Sequence, residues 1–121
     1  MSAPVGPYSP WRRAGDFVIL SGQLGLVPGD NGPEFVPGDA ADQLRQALLN
    51  AKALLAEAGA TLNDVVKATL FLVDLADFTT CNDVWVEFFD APRPTRSTIQ
   101  VAALPMGGRA EAELWAYTPT N

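Results

Sequence analysis

Arg96 and Glu113 are the two residues whose types and placement suit chemistry. Arg96 lies in the stretch Arg93 to Val101, Arg-Pro-Thr-Arg-Ser-Thr-Ile-Gln-Val, which leaves a proline-broken loop and enters an alternating, strand-like pattern. A guanidinium at the start of a strand offers a planar fork of donors that fits a carboxylate or a phosphate. Glu113 belongs to a second alternating run, Arg109 to Tyr117. An arginine that holds an anion and a glutamate that handles a proton would together make a small-molecule site. On spacing alone, the same pair reads equally well as two exposed positions of a sheet.

Composition narrows the chemistry further. The 121 residues, 48% apolar and 18% charged, are expected to form one soluble globular domain over residues 1–121. Eight basic and fourteen acidic residues leave a net charge of −6, so no long-range field draws in nucleic acid or an anionic membrane. The chain has no histidine, which excludes Ser-His-Asp and Cys-His catalysis and His-containing zinc sites. One cysteine, Cys81, allows no internal disulfide. With no secretory signal pattern and no apolar run of membrane-spanning length, the expected location is the cytoplasm.

The elements that must position these residues follow from periodicity. Residues 1–10, with Pro4, Gly6, Pro7 and Pro10, read as an extended arm that Tyr8 pins to the body. Phe17 to Ser21 and Leu24 to Val27 read as short strands, and Gly22 between them suggests a bulge or a close approach of backbone. Pro28 to Gly38 reads as a loop. Asp39 is a suitable N-cap and Gly59 a suitable stop for a helix whose Leu44, Leu48, Ala51, Leu55 and Ala58 share one face. Val65 to Val73 reads as a central strand. Asp77 is expected to cap a second helix with Phe78, Cys81, Val84, Trp85 and Phe88 on one stripe, a pattern usual for core.

In the last strand Ala110, Ala112, Leu114 and Ala116 form a small-residue face suited to a closely packed helix. The opposite face mixes Glu111 and Glu113 with Trp115 and Tyr117, a composition that suits contact with another subunit. The order β-β-α-β-α-β-β predicts an α+β domain with both helices on one face of a mixed sheet.

Several short motifs combine across the chain. Gly6-Pro7-Tyr8-Ser9, Ser21-Gly22-Gln23, Asn82, Phe88-Phe89, Arg96-Ser97, Leu104-Pro105 and Glu111-x-Glu113 resemble, in order and spacing, the RidA/YjgF family. That resemblance implies a chorismate-mutase-like fold, assembled as a homotrimer with a central barrel and clefts between subunits. It also implies hydrolysis of reactive enamines and imines, of the 2-aminoacrylate/2-iminopropionate type, to 2-oxo acids and ammonia, with no metal or organic cofactor.

Carried onto this chain, Arg96 would pair with the substrate carboxylate and Glu113 would position or activate water. Tyr8 would close over the ligand, Ser21 and Gly22 would edge it, and Phe88 would form an apolar wall. Thr98 would make a small contact where many members have cysteine. An imine carbon is already electrophilic, so orientation, water and a proton shuttle suffice. The loop Asp90 to Thr95 is shorter than in well-known members, which bears on substrate range. The alternative is a non-catalytic trimeric binder of small carboxylates, which would use Arg96 but not Glu113. An endoribonuclease is the less favoured third reading, given the net charge of −6.

Overall fold

A computed structural model describes residues 4–119 of the protein. Its strands are β1 (Trp11–Ala14), β2 (Phe17–Leu20), β3 (Gln23–Leu24), β4 (Leu26–Gly29), β5 (Gly32–Phe35), β6 (Val65–Leu72), β7 (Thr95–Gln100) and β8 (Ala110–Tyr117). Two helices, α1 (Ala40–Glu57) and α2 (Phe78–Phe88), separate β5, β6 and β7. The main sheet runs β1-β2-β8-β6-β7, with β3 continuing beside β8 where β2 ends. Only β6 and β7 pair in parallel, so the sheet is mixed. No described helix is long and apolar enough to cross a membrane.

Both helices form as expected, as do the strands at β2, β6, β7 and β8. The expected strand Leu24 to Val27, however, breaks at Gly25 into β3, which joins the main sheet, and β4, which pairs with β5 instead. Two further strands, β1 and β5, were not expected, so the order is β-β-β-β-β-α-β-α-β-β and not β-β-α-β-α-β-β. β1 pairs with β2 through a turn at Gly15, whose φ of 58° favours glycine. β5 folds back on β4 within the stretch expected to be loop. Neither carries an apolar alternation of its own. β1 is Trp-Arg-Arg-Ala and β5 contains Gly32 and Pro33, so the pairing partner rather than the local pattern makes each a strand.

The helix α1 begins as its sequence predicts. The Asp39 carboxylate accepts from the Asp42 N–H at 3.2 Å, and the Asp42 carboxylate accepts from the Asp39 N–H at 3.0 Å. This reciprocal cap satisfies two helix-end donors and so stabilises the start of the helix. Gly59, with φ of 81°, stands just past the C-terminal end. The buried face of α1 lies on β8, where Ala110, Ala112, Leu114 and Ala116 are all fully buried. Alanines on both sides let helix and sheet approach closely.

Two polar residues on that face were not anticipated. Gln43 accepts the Arg109 N–H at 2.8 Å, and Asn50 donates to the carbonyls of Leu24 (3.1 Å) and Leu26 (2.9 Å). They lie two turns apart on α1 and tie it to the start of β8 and to the β3–β4 junction.

The start of α2 differs from expectation. Asp77 occupies the cap position but makes no side-chain cap bond; its carboxylate faces Arg109 at 3.6 Å. Capping shifts to Asp74, which accepts from the Ala76 N–H at 2.8 Å and starts a short 3₁₀ turn leading into the helix. Cys81 on α2 is fully buried, and burial pushes its thiol up to about 11. It is a core residue, not a nucleophile.

Candidate active site

Arg96 emerges from β7 on the face covered by helices. In the sheet register it stands opposite Ala68, which stands opposite Leu114, and both of those are buried under α1 and α2. The half-buried guanidinium therefore meets α2. Its Nε donates to the Thr98 hydroxyl at 2.9 Å, and one Nη donates to the Asn82 side-chain carbonyl at 2.6 Å. Its charge lies 4.9 Å from the centre of the Trp85 ring and 5.7 Å from that of Phe78.

Two of its five donors are engaged and three remain. No carboxylate of the described residues pairs with it. Burial lowers its pKa, yet a guanidinium stays charged near neutrality. The outcome is an oriented cation at an open cleft of about 350 Å³ lined by Asn82, Trp85, Val86, Arg93, Pro94 and Arg96.

The arm residues and the acidic face form a second grouping. Ile19 stands opposite Trp115 and Gln23 opposite Ala112, so four steps along one side answer three along the other. The extra residue is the bulge expected at Ser21–Gly22. Ser21 fastens the arm there: its hydroxyl donates to the Ser9 carbonyl at 2.6 Å and its N–H to the Pro10 carbonyl at 2.9 Å. A side chain on Gly22 would collide with the Glu111 carboxyl group, only 2.7 Å from the position of a Cβ. Tyr8, Ser21 and Gly22 line a recess of about 30 Å³, room for a water molecule but not for a substrate.

Glu113 stands opposite Thr69, which stands opposite Ser97, on the sheet face away from the helices. Glu111 shares that face, and burial pushes its carboxyl above the usual carboxylate range, with the charge of Glu113 adding to the shift. Arg96 and Glu113 therefore lie on opposite faces of one sheet, and a single chain does not bring them together.

The other candidates are placed as follows. Thr98 acts on Arg96, accepting its Nε–H. Phe88 packs against the core and is absent from the Arg96 cleft, where Trp85 supplies the aromatic wall and Phe78 lies over the guanidinium. Sequence reasoning left Asn82, Trp85 and Phe78 without a site role. Their spacing was the available signal, since positions i, i+4 and i+7 put all three on one helix face. No cluster of three or more His, Cys, Asp or Glu residues able to hold a metal ion occurs among the described residues.

A family model described as Endoribonuclease L-PSP matches residues 1–118. The 2-iminobutanoate/2-iminopropanoate deaminase of Bos taurus is 44% identical over 92% of this chain and 80% of its own length. The crystal structure of RidA from an Antarctic Psychrobacter superposes with a TM-score of 0.87 at 43% identity, covering 95% of this chain and 91% of that one. The structure of Escherichia coli TdcF with bound serine superposes with a TM-score of 0.86 at 41% identity, covering 94% of this chain and 90% of the other. With a family match over almost its whole length and close relatives of the same α+β fold, the chain belongs to the endoribonuclease L-PSP family, the RidA/YjgF proteins.

Proposed function

We propose that the protein hydrolyses reactive 2-imino and 2-enamino acids to 2-oxo acids and ammonia in the cytoplasm. The observation that carries this reading is the Arg96 constellation, an oriented, half-buried guanidinium with no carboxylate partner among the described residues. A 2-imino acid presents a carboxylate to that fork and leaves its C=N bond displayed beside it. Water adds to C2 with loss of one proton while the nitrogen takes up one, giving a carbinolamine. The nitrogen then takes up a second proton, and the C–N bond breaks with its electron pair leaving on ammonia as the hydroxyl loses its proton and the C2=O bond forms. Glu113 accepts the proton of the attacking water. The names of several relatives, the bovine deaminase among them, support this reaction.

Arg96 and Glu113 can act on one substrate only if two copies of the chain each contribute one of them. The homotrimer that the family resemblance implies, its open sheet faces closing a central barrel with a cleft at each junction, would bring them together. The open face is suited to burial, because Phe17, Ile99 and Tyr117 are exposed on it and Phe17 packs against Trp115 and Tyr117. The recess beside Tyr8, too small alone, would then become one wall of a larger site.

Decay of imines generated by an amino-acid oxidase or dehydratase tests the reading. The unaltered protein should accelerate decay, and Arg96→Ala should abolish the effect. No acceleration with any imine, from a protein that remains trimeric, would favour the carboxylate-binding alternative. In that case Glu113→Ala would leave ligand affinity nearly unchanged.

A further inference from the structure

The cleft at Arg96 holds a second arginine that the deaminase reading does not use. Arg93 lines the same opening, three residues upstream across Pro94. Its Nε donates to the Phe89 carbonyl at 2.9 Å, at the C-terminal end of α2, which fixes where the guanidinium stands and leaves four donors. No carboxylate of the described residues pairs with it. In contrast, Arg45 is paired with Asp42 and Glu87, and Arg109 with Asp77.

The chain carries fourteen acidic residues against eight basic ones, yet two guanidiniums share one opening without an acid between them. A ligand with two negative groups could meet both guanidiniums, whereas a ligand with a single group would engage only one. The remaining lining divides by chemistry. Asn82 holds Arg96, and Trp85 and Val86 give an apolar surface.

We infer that Arg93 sets substrate class, so that the cleft prefers 2-imino acids bearing a second carboxylate on the side chain. The α-carboxylate would sit on Arg96, the carbon chain along Trp85 and Val86, and the distal carboxylate on Arg93. As a statement about substrates the inference rests on the deaminase reading; as a statement about ligands it does not.

Calorimetric binding of two unreactive 2-oxo acids of equal chain length, 2-oxoglutarate and 2-oxopentanoate, separates the two. They differ in that one ends in a carboxylate and the other in a methyl group. The unaltered protein should bind 2-oxoglutarate about tenfold more tightly or better, the worth of one additional charge-assisted hydrogen-bonded contact. In Arg93→Gln the ratio should fall toward one. Equal affinities in the unaltered protein overturn the inference, whatever the substitution does to folding or assembly. A preference that survives in a folded Arg93→Gln also overturns it, because the preference then arises elsewhere.

Enzyme-generated imines of glutamate and of alanine complete the test. Faster decay of the alanine imine than of the glutamate imine overturns the inference while leaving the deaminase reading intact. If neither imine is accelerated, the deaminase reading fails, and the binding ratio alone decides the role of Arg93.

Discussion

At the scale of single residues, Arg96 is defined by what surrounds it. Thr98 and Asn82 fix two of its donors, and Trp85 covers its face, so the fork is in place before a ligand arrives. Such preorganisation lowers the cost of binding. Arg96→Lys keeps the charge but loses the fork and the stacking. Imine turnover should fall at least tenfold, with the loss in KM as well as kcat, as steady-state kinetics would show. Glu111 makes a prediction of a different kind. Its carboxyl is raised in the folded protein by burial and by Glu113, so the folded state holds that proton more tightly than the unfolded state does. Its favourable contribution is present at acid pH and is lost as pH rises through the folded value. Glu111→Gln should therefore raise the thermal midpoint at pH 7 to 8. The gain should vanish below about pH 4, where the unfolded carboxyl is also protonated. A gain that persists at acid pH would point to packing instead of charge.

At the scale of elements, the contact between α1 and the β3–β4 junction carries the arm-side recess. A Cβ on Gly25 would lie 2.5 Å from the Gln43 carbonyl oxygen and 2.6 Å from the Gln43 Cα, both backbone atoms that cannot rotate away. Asn50 bonds the carbonyls on either side of Gly25, so any retreat of α1 also stretches those bonds. Gly25→Ala should cost about 1–3 kcal/mol, the usual range for overpacking, read as a lowered denaturant midpoint. An unchanged midpoint would mean that α1 slides on the sheet. The sheet core is equally specified. Leu70, on β6 beneath the helices, is fully buried, and Leu70→Ala should cost about 2–5 kcal/mol, enough to lower the melting temperature by roughly 10 °C or more.

At the scale of the whole molecule, the two faces of the sheet have different fates. One is closed by α1 and α2, whereas the other exposes Phe17, Ile99 and Tyr117 beside Glu111 and Glu113. Sedimentation should give three times the 12.9 kDa chain mass. Ile99→Glu, harmless on a solvated face, should lower that mass and abolish imine turnover together. A trimeric and active Ile99→Glu protein would place the subunit contact elsewhere.

The sequence by itself determined the elements whose own patterns carry the signal. The stripe of α1 with its Asp39 cap and Gly59 stop, the apolar run of β6, and the small-residue face of β8 are each local in origin. The bulge at Gly22 was legible for the same reason, since a glycine interrupting a strand pattern has few other roles. Tertiary structure alone decided the rest. β1 and β5 exist because a partner strand is present. Asp77 gave up its capping role because Arg109, distant in sequence, lies beside it. Asn82 and Trp85 became walls of the Arg96 cleft because α2 packs on the face from which Arg96 emerges. The separation of Arg96 and Glu113 follows from register. Both were candidates from the sequence by residue type, but the pairing of β7 with β6 and of β6 with β8 sends one to each side of the sheet. Side-chain direction alternates with every residue, so the side each faces depends on long-range pairing that no local pattern encodes.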